Sequence, residues 1–180
     1  MLTVYVGWDS KEPEAFDVCK HSIEETASKP VSVIPLKKKQ FIDRQLYWRQ
    51  EDSRDSTEFT ITRFMVPWLN GYSGKAIFCD CDFLFEHDIS QFDKTKAVQV
   101  VKHDYTPKEK VKFHGHVQHV YPRKNWSSMV MWNCGHRANS ALNLDVINTK
   151  DPSFLHQFQW LDDDQIGEVS HEWNWLEGHY

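Results

Sequence analysis

The sequence predicts an α/β domain built on a mostly parallel sheet, and two stretches carry that expectation. The chain opens as strand, helix, strand: Leu2 to Val6 alternates, Ala15, Cys19, Ile23 and Thr26 recur at helical spacing, and Val31 to Leu36 is apolar again. Such a unit favours parallel strands joined by right-handed crossovers. Further on, Lys75 to Phe85 reads KAIFCDCDFLF, in which Ala76 to Cys79 is a short apolar run introduced by Gly71 and Gly74. That is the pattern of a buried strand bounded by turn residues. At 180 residues the chain is long enough for a single domain with one proper core.

In order, the first strand runs into the turn Gly7-Trp8-Asp9-Ser10, where Asp9 or Ser10 is suited to cap a helix from Lys11 to Ala27. Pro13 is tolerated in its first turn, and Pro30 ends the segment before the second strand. Lys37 to Asp55 is polar and irregular, with aromatic insertions at Phe41, Tyr47 and Trp48, and is expected as a long surface loop. Helical spacing resumes from Thr57 to Leu69 (Phe59, Ile61, Phe64, Met65, Trp68), with Ser56 or Thr57 as its cap. After the central strand come a helical turn at Asp88 to Phe92 and a strand at Ala97 to Val101. A charged loop follows at His103 to Lys112, then strands at Val117 to Tyr121 and Ser128 to Trp132. Helices are expected at Ala138 to Leu144 and Ser153 to Trp160; Asp162 to Gln165 interrupts, and the tail HEWNWLEGHY shows little periodicity.

Composition narrows the function. With 21 Lys and Arg against 26 Asp and Glu, the net charge of -5 argues against general nucleic-acid binding, though not against a phosphate-bearing substrate recruited by a bound cation. No apolar stretch approaches a membrane span and no secretory leader is legible in MLTVYVGWDS, so a soluble cytoplasmic protein is expected. Cys19, Cys79, Cys81 and Cys134 lack paired zinc spacing and are expected as reduced core thiols.

The chemistry concentrates at Asp80 and Asp82. Carboxylates two apart at a strand end project to the same side, and two like charges there are costly unless a cation neutralises them. Hard oxygen donors suit manganese or magnesium, which keep open positions for a substrate's phosphates. Asp9 ends the first strand much as Asp80 and Asp82 end theirs, so all three are expected along one crevice beyond the strands' carboxyl ends. His114, His116 and His119 form a His-x-His-x-x-His spacing that could hold zinc, but the acid such a pattern needs is replaced by Gln118. They are expected as loop residues. Trp68 and Trp132 sit on apolar runs and are expected in the core; Trp126, Trp173 and Trp175, beside polar residues, are candidates for stacking on a sugar.

Taken in order, VYVGWDS, STEFTITRFMVPWL, GKAIFCDCDFLFEHDISQF, NWSSMVMWNCGH and LDDDQIG before EWNWLEG resemble a glycosyltransferase of the GT-A type, near the glycogenin and bacterial galactosyltransferase group. The resemblance spans nearly the whole chain and implies a Rossmann-like, mostly parallel sheet flanked by helices. It implies manganese (or magnesium) on Asp80 and Asp82, with the nucleoside of a nucleotide-sugar donor near Gly7, Trp8 and Asp9 and with Arg63 close to the phosphates. Asn133, Asp164 and Gln165 are implied to contact the transferring sugar or a carbohydrate or other hydroxyl acceptor, with Asp163 or Asp164 a candidate nucleophile. Those families add a histidine in a C-terminal His-x-x-Gly segment as a third metal ligand, which has no counterpart before Tyr180. The alternative is a non-catalytic nucleotide- or sugar-binding module on the same fold.

Overall fold

A computed structural model describes residues 1–53, 55–91, 96–104 and 122–180. The expected strand at Val117 to Tyr121, most of the loop from His103 to Lys112, and His114, His116 and His119 lie outside them.

One sheet organises the described residues. Its strands are β1 (Leu2–Gly7), β2 (Val31–Leu36), β3 (Lys75–Cys79), β4 (Val98–Val100), β5 (Met129–Asn133) and β6 (Ile166–Glu168), in the order β2-β1-β3-β5-β4-β6. β2, β1 and β3 pair in parallel, as do β4 and β6; only β5 is reversed, antiparallel to both β3 and β4. The mostly parallel α/β architecture is therefore the observed one.

α1 (Pro13–Thr26) makes the first crossover and buries Phe16, Cys19, Ser22 and Ile23. Strand alternation then sorts the neighbours of β3. Cys79 turns towards α1, its Sγ 3.8 Å from that of Cys19, whereas Phe78 faces the other way, towards Phe59 and Arg63. On this second face Trp132 of β5 stacks on Trp160, and Phe64 meets His156, Phe158 and Trp160 edge-on. All four cysteines are buried free thiols; burial pushes the Cys79 thiol well up and that of Cys81 to about 12. Trp132 is fully buried as expected, while Trp68 is only half-buried.

Several local expectations are corrected. The stretch from Lys37 is not irregular throughout: α2 (Lys38–Asp43) forms there because Phe41 has a core site to fill. Thr57 to Leu69 is not one helix. A 3-10 turn at Thr62–Met65 leads into the short α3 (Val66–Leu69), whose first turn carries Pro67. Helix from Ala138 to Leu144 becomes a 3-10 turn at Arg137–Ala141 followed by α4 (Leu144–Thr149), capped by the Asn143 side chain on the Val146 amide. α5 (Pro152–His156) is shorter than its apolar spacing suggests, with Asp151 as cap. β6 was not foreseen, because three residues with a central glycine carry almost no strand signal.

Candidate functional site

Parallel pairing of β1 with β3 sets Val6 beside Cys79, so the residues that follow both strands emerge together at one edge of the sheet. Gly7, Trp8 and Asp9 continue from β1, and Asp80 and Asp82 from β3, so both sets follow strands that end at the same edge. Gly7 has a packing role. A Cβ on it would lie 2.5 Å from the Phe59 ring, which occupies that space. Trp8 is half-buried, with Lys37 Nζ 4.4 Å from its ring centroid. Asp9 is 5% exposed and does not cap α1. One carboxylate oxygen accepts from the Lys11 amide (3.0 Å) and the other from the Glu58 amide (3.1 Å). Glu58 in turn accepts from the amide and hydroxyl of Ser10. These bonds pin the β1 turn to the segment that carries Phe59 and Arg63.

Arg63 is the centre of the site. Its guanidinium is buried over the rings of Phe59 and Phe78, 5.3 and 5.0 Å from their centroids. Nε donates to the Phe59 carbonyl (3.3 Å), Nη1 donates to the Ser127 carbonyl (2.9 Å), and Nη1 lies 2.9 Å from Asp80 Oδ1. Phe78 and Asp80 are two residues apart, so period-2 alternation delivers both to the same cation. The Asp80 amide also donates to the Ser128 carbonyl (2.9 Å). Asp80 is thus held at both backbone and side chain.

Asp82 is the more exposed of the two carboxylates. Solvent reaches it, yet the surrounding protein dehydrates its carboxyl enough to raise its pKa above the ordinary carboxylate value. Glu12, at the entrance to α1, pushes in the same direction; Arg63 and a bond from its own backbone oppose it. A carboxylate that resists ionisation beside a second acid is a site where a cation relieves the cost.

Asn133, Asp164 and Gln165 do not join this edge. Because β5 runs backwards, Asn133 pairs with Lys75, at the opposite end of β3, about 16 Å from Asp80 at ordinary strand rise. Gln165 and Asp164 precede β6, whose first residue pairs with Val98 at that same far end. The Gln165 side chain closes a capping box on the Asp162 amide, and its carbonyl accepts from the Ala97 amide. Asp163 is paired with Arg123. Reversal of β5 instead brings Ser127 and Ser128 to Asp80, a placement that no local signal in the sequence announces.

The chain returns to the functional edge after β6. Asn174 Nδ2 donates to Ser128 Oγ (2.7 Å), and the Trp173 ring lies 6.4 Å from that of His87. The Trp126 indole donates to the His103 carbonyl (3.1 Å), and His103 Nδ1 lies 2.7 Å from the Tyr180 hydroxyl. A cavity of about 500 Å3 opens beyond the ends of β4 and β6, with Lys102, Asp104, Glu168, His171 and Tyr180 among its walls. Neither the histidine nor the tail tyrosine carries a sequence pattern that would have marked it.

Two expected results follow from this wiring. Gly7→Ala should destabilise the fold by about 1–3 kcal/mol, since the methyl must displace an aromatic ring in a packed core. Shrinking that ring with a second substitution, Phe59→Leu, should recover part of the lost melting temperature; no recovery would show that the ring is not the obstacle. The other concerns His103, whose pKa burial pulls from 6.5 to about 4, with His179 and His171 adding to the effect. Between those pH values the unfolded chain takes up a proton that the folded chain refuses, so stability falls as pH drops from about 6.5 to 4. Urea unfolding at pH 7 and pH 4.5 should show a larger acid loss in the native protein than in His103→Gln. Equal losses would count against it.

Among the described residues no group of three or more His, Cys, Asp or Glu side chains could hold a metal ion, and no helix is long and apolar enough to cross a membrane. No family model matches the sequence. The fold is similar to that of the glycosyltransferase GlyE of Streptococcus pneumoniae TIGR4, with a TM-score of 0.56 and 11% identity. It also resembles the bifunctional glycosyltransferase WbbM, with a TM-score of 0.62 and 12% identity. The chain covers 46% of the first and 39% of the second, so it spans less than half of those proteins, while 96% of its own length is matched in each. The galactosyltransferase LgtC, solved with donor and acceptor sugar analogs, matches 94% of this chain and 73% of its own at a TM-score of 0.52 and 10% identity. These likenesses establish a glycosyltransferase-type fold. Protein CDI of Arabidopsis thaliana is 48% identical over 180 residues, which span 98% of this chain and 70% of that protein. At that identity and coverage the chain belongs to the family of Protein CDI.

Proposed function

We propose that this chain is a metal-dependent glycosyltransferase, moving a sugar from a nucleoside diphosphate sugar to an acceptor hydroxyl. The observation that supports it most is the buried Arg63–Asp80 pair with Asp82 beside it, at the carboxyl end of β3 in a glycosyltransferase-type fold. In transfer, the bond from the anomeric carbon to the diphosphate oxygen breaks and one to the acceptor oxygen forms. The acceptor gives up its proton, and the diphosphate leaves with the negative charge.

Asp80 and Asp82 would hold manganese, or magnesium in its place. The raised pKa of Asp82 supports the fit, because a nearby cation makes ionisation less costly. Two protein carboxylates leave the other positions to water and phosphate, as hard divalent ions accept. A metal bound there supplies neutralisation of the charge on the departing diphosphate. Arg63 orients Asp80 and adds a fixed positive charge next to the phosphates. The turn of Gly7, Trp8 and Asp9, with Lys37 against the indole, forms the nucleoside end, stiffened by the two bonds of Asp9.

A second reading, a binding module without turnover, is favoured by the pairing of Asp80 with Arg63 and by the short ligand set among the described residues. Donor hydrolysis separates the two. With manganese present, release of nucleoside diphosphate from a panel of nucleotide sugars supports the transferase. Saturable donor binding with no release above a protein-free control would overturn it in favour of the module.

A further inference from the structure

We propose that the cavity beyond β4 and β6 binds the acceptor, and that this acceptor is a neutral, hydroxyl-rich carbohydrate rather than an anion or a peptide. The cavity's use in transfer rests on the glycosyltransferase reading, whereas its ligand class is argued from its own walls.

Position comes first. β4 and β6 run in the same direction as β3, so their carboxyl ends open on the edge that carries Asp80. β4 lies two strands from β3 and β6 three, which sets the cavity about 10–14 Å to the side of the carboxylate pair. That spacing leaves room for the transferred sugar between donor phosphates and acceptor. The two regions are also physically continuous. Trp126 bonds the carbonyl of His103, and the next two residues, Ser127 and Ser128, hold Arg63 and Asp80 through their carbonyls.

The chemistry of the walls selects the ligand. Among the described residues of the wall, beside the imidazoles of His171 and His179, the carboxylates Asp104 and Glu168 outnumber the one ammonium, Lys102, so the fixed charge they supply disfavours an anion. Carboxylates and an ammonium are strong partners for hydroxyl groups, acting as acceptors and donor respectively. Beside them is an aromatic ledge. Tyr180 stacks on His171 at 4.7 Å and lies 5.2 Å from Trp175, yet Tyr180 and Trp175 remain 43% and 55% exposed. Flat exposed rings next to polar groups suit the apolar C–H faces of a sugar. The ledge is anchored rather than loose, because the Tyr180 hydroxyl meets buried His103. His103 Nε2 is itself buried with no hydrogen-bond partner among the described residues. Orphaned polar atoms of that kind are uncommon in settled structure and mark places where a further group is expected.

Saturation-transfer NMR tests the assignment with glucose, galactose, lactose, maltose and myo-inositol as neutral probes and glucuronate as the anionic one. At least one neutral probe should receive saturation from the native protein, and glucuronate should receive less. The signal should fall about fivefold or more in Tyr180→Ala, as for loss of an aromatic contact. Asp104→Asn, an exposed substitution that leaves the fold alone, should weaken it as well. Glu14→Gln, at an exposed position of α1 outside both sites, should leave it unchanged. No transfer to any neutral probe, stronger transfer to glucuronate, or signals indifferent to both Tyr180→Ala and Asp104→Asn would each overturn the proposal. Calorimetry with nucleoside diphosphates and manganese on the same samples keeps the two readings apart. Carbohydrate binding without nucleotide binding would sink the donor site and leave the cavity assignment standing; the reverse would do the opposite.

Discussion

Arg63→Met should lower the stability of the chain by about 3 kcal/mol or more, the usual result of stripping one partner from a buried ion pair. The guanidinium and the Asp80 carboxylate are 8% and 21% exposed, so water cannot fully replace the lost cation. The carbonyls of Phe59 and Ser127 lose a donor in the same step. For a chain of this size that amounts to a fall in melting temperature of roughly 6–12 °C. Methionine keeps most of the stem that packs on Phe59 and Phe78, so the loss reports charge and hydrogen bonding more than packing. The double variant Arg63→Met with Asp80→Asn should be more stable than Arg63→Met alone, because the stranded charge is then gone. A single variant within about 0.5 kcal/mol of the native protein, the scatter of ordinary surface changes, would mean that the pair does not hold the site together.

Asp82→Ala should have the opposite profile, a large loss of binding with no loss of stability. Manganese-dependent affinity for a nucleoside diphosphate should fall by at least about 10–100-fold, the effect of disturbing even the outer partners of a metal site. The melting temperature of the metal-free variant should equal or exceed that of the native chain, since dehydration and Glu12 both work against the ionised Asp82. Calorimetry with and without manganese on both proteins gives four affinities. If all four are equal, the carboxylate pair is not a metal and nucleotide site. If the variant instead melts well below the native protein, Asp82 is a structural residue and its raised pKa has another origin.

The contrast between these variants separates what pattern alone reveals from what packing adds. Asp80 and Asp82 could be picked out because two acids interrupting an apolar run conflict with local burial, and such conflicts are legible without a structure. Asp9 could be placed with them because two parallel strands end together. Arg63 entered only through the family resemblance, as an arginine close to the phosphates, and its partner Asp80 was not legible. Whether an arginine faces water or a core carboxylate depends on contacts between segments distant in the sequence.

Asn133, Asp164 and Gln165 show the limit most clearly. Each was tied to the site only by the family resemblance, whose ordered motifs say nothing of strand direction. A strand of the composition of Met129–Asn133, apolar up to its last residue, suits either direction in a sheet covered on both faces. Reversal of β5 sent Asn133 to the far edge and brought Ser127 and Ser128 to Asp80. The same dependence on distant contacts hid α2, β6 and the His103–Tyr180 contact.

The sequence by itself determined the α/β class, the parallel opening unit and the acidic pair at the end of β3, because burial and periodicity are properties of neighbouring residues. Only the tertiary structure decided which cation meets Asp80, which serine holds its amide and where a cavity opens to the side of it. Those outcomes depend on strand order and direction, set by packing and hydrogen bonding across the whole sheet rather than by any local stretch.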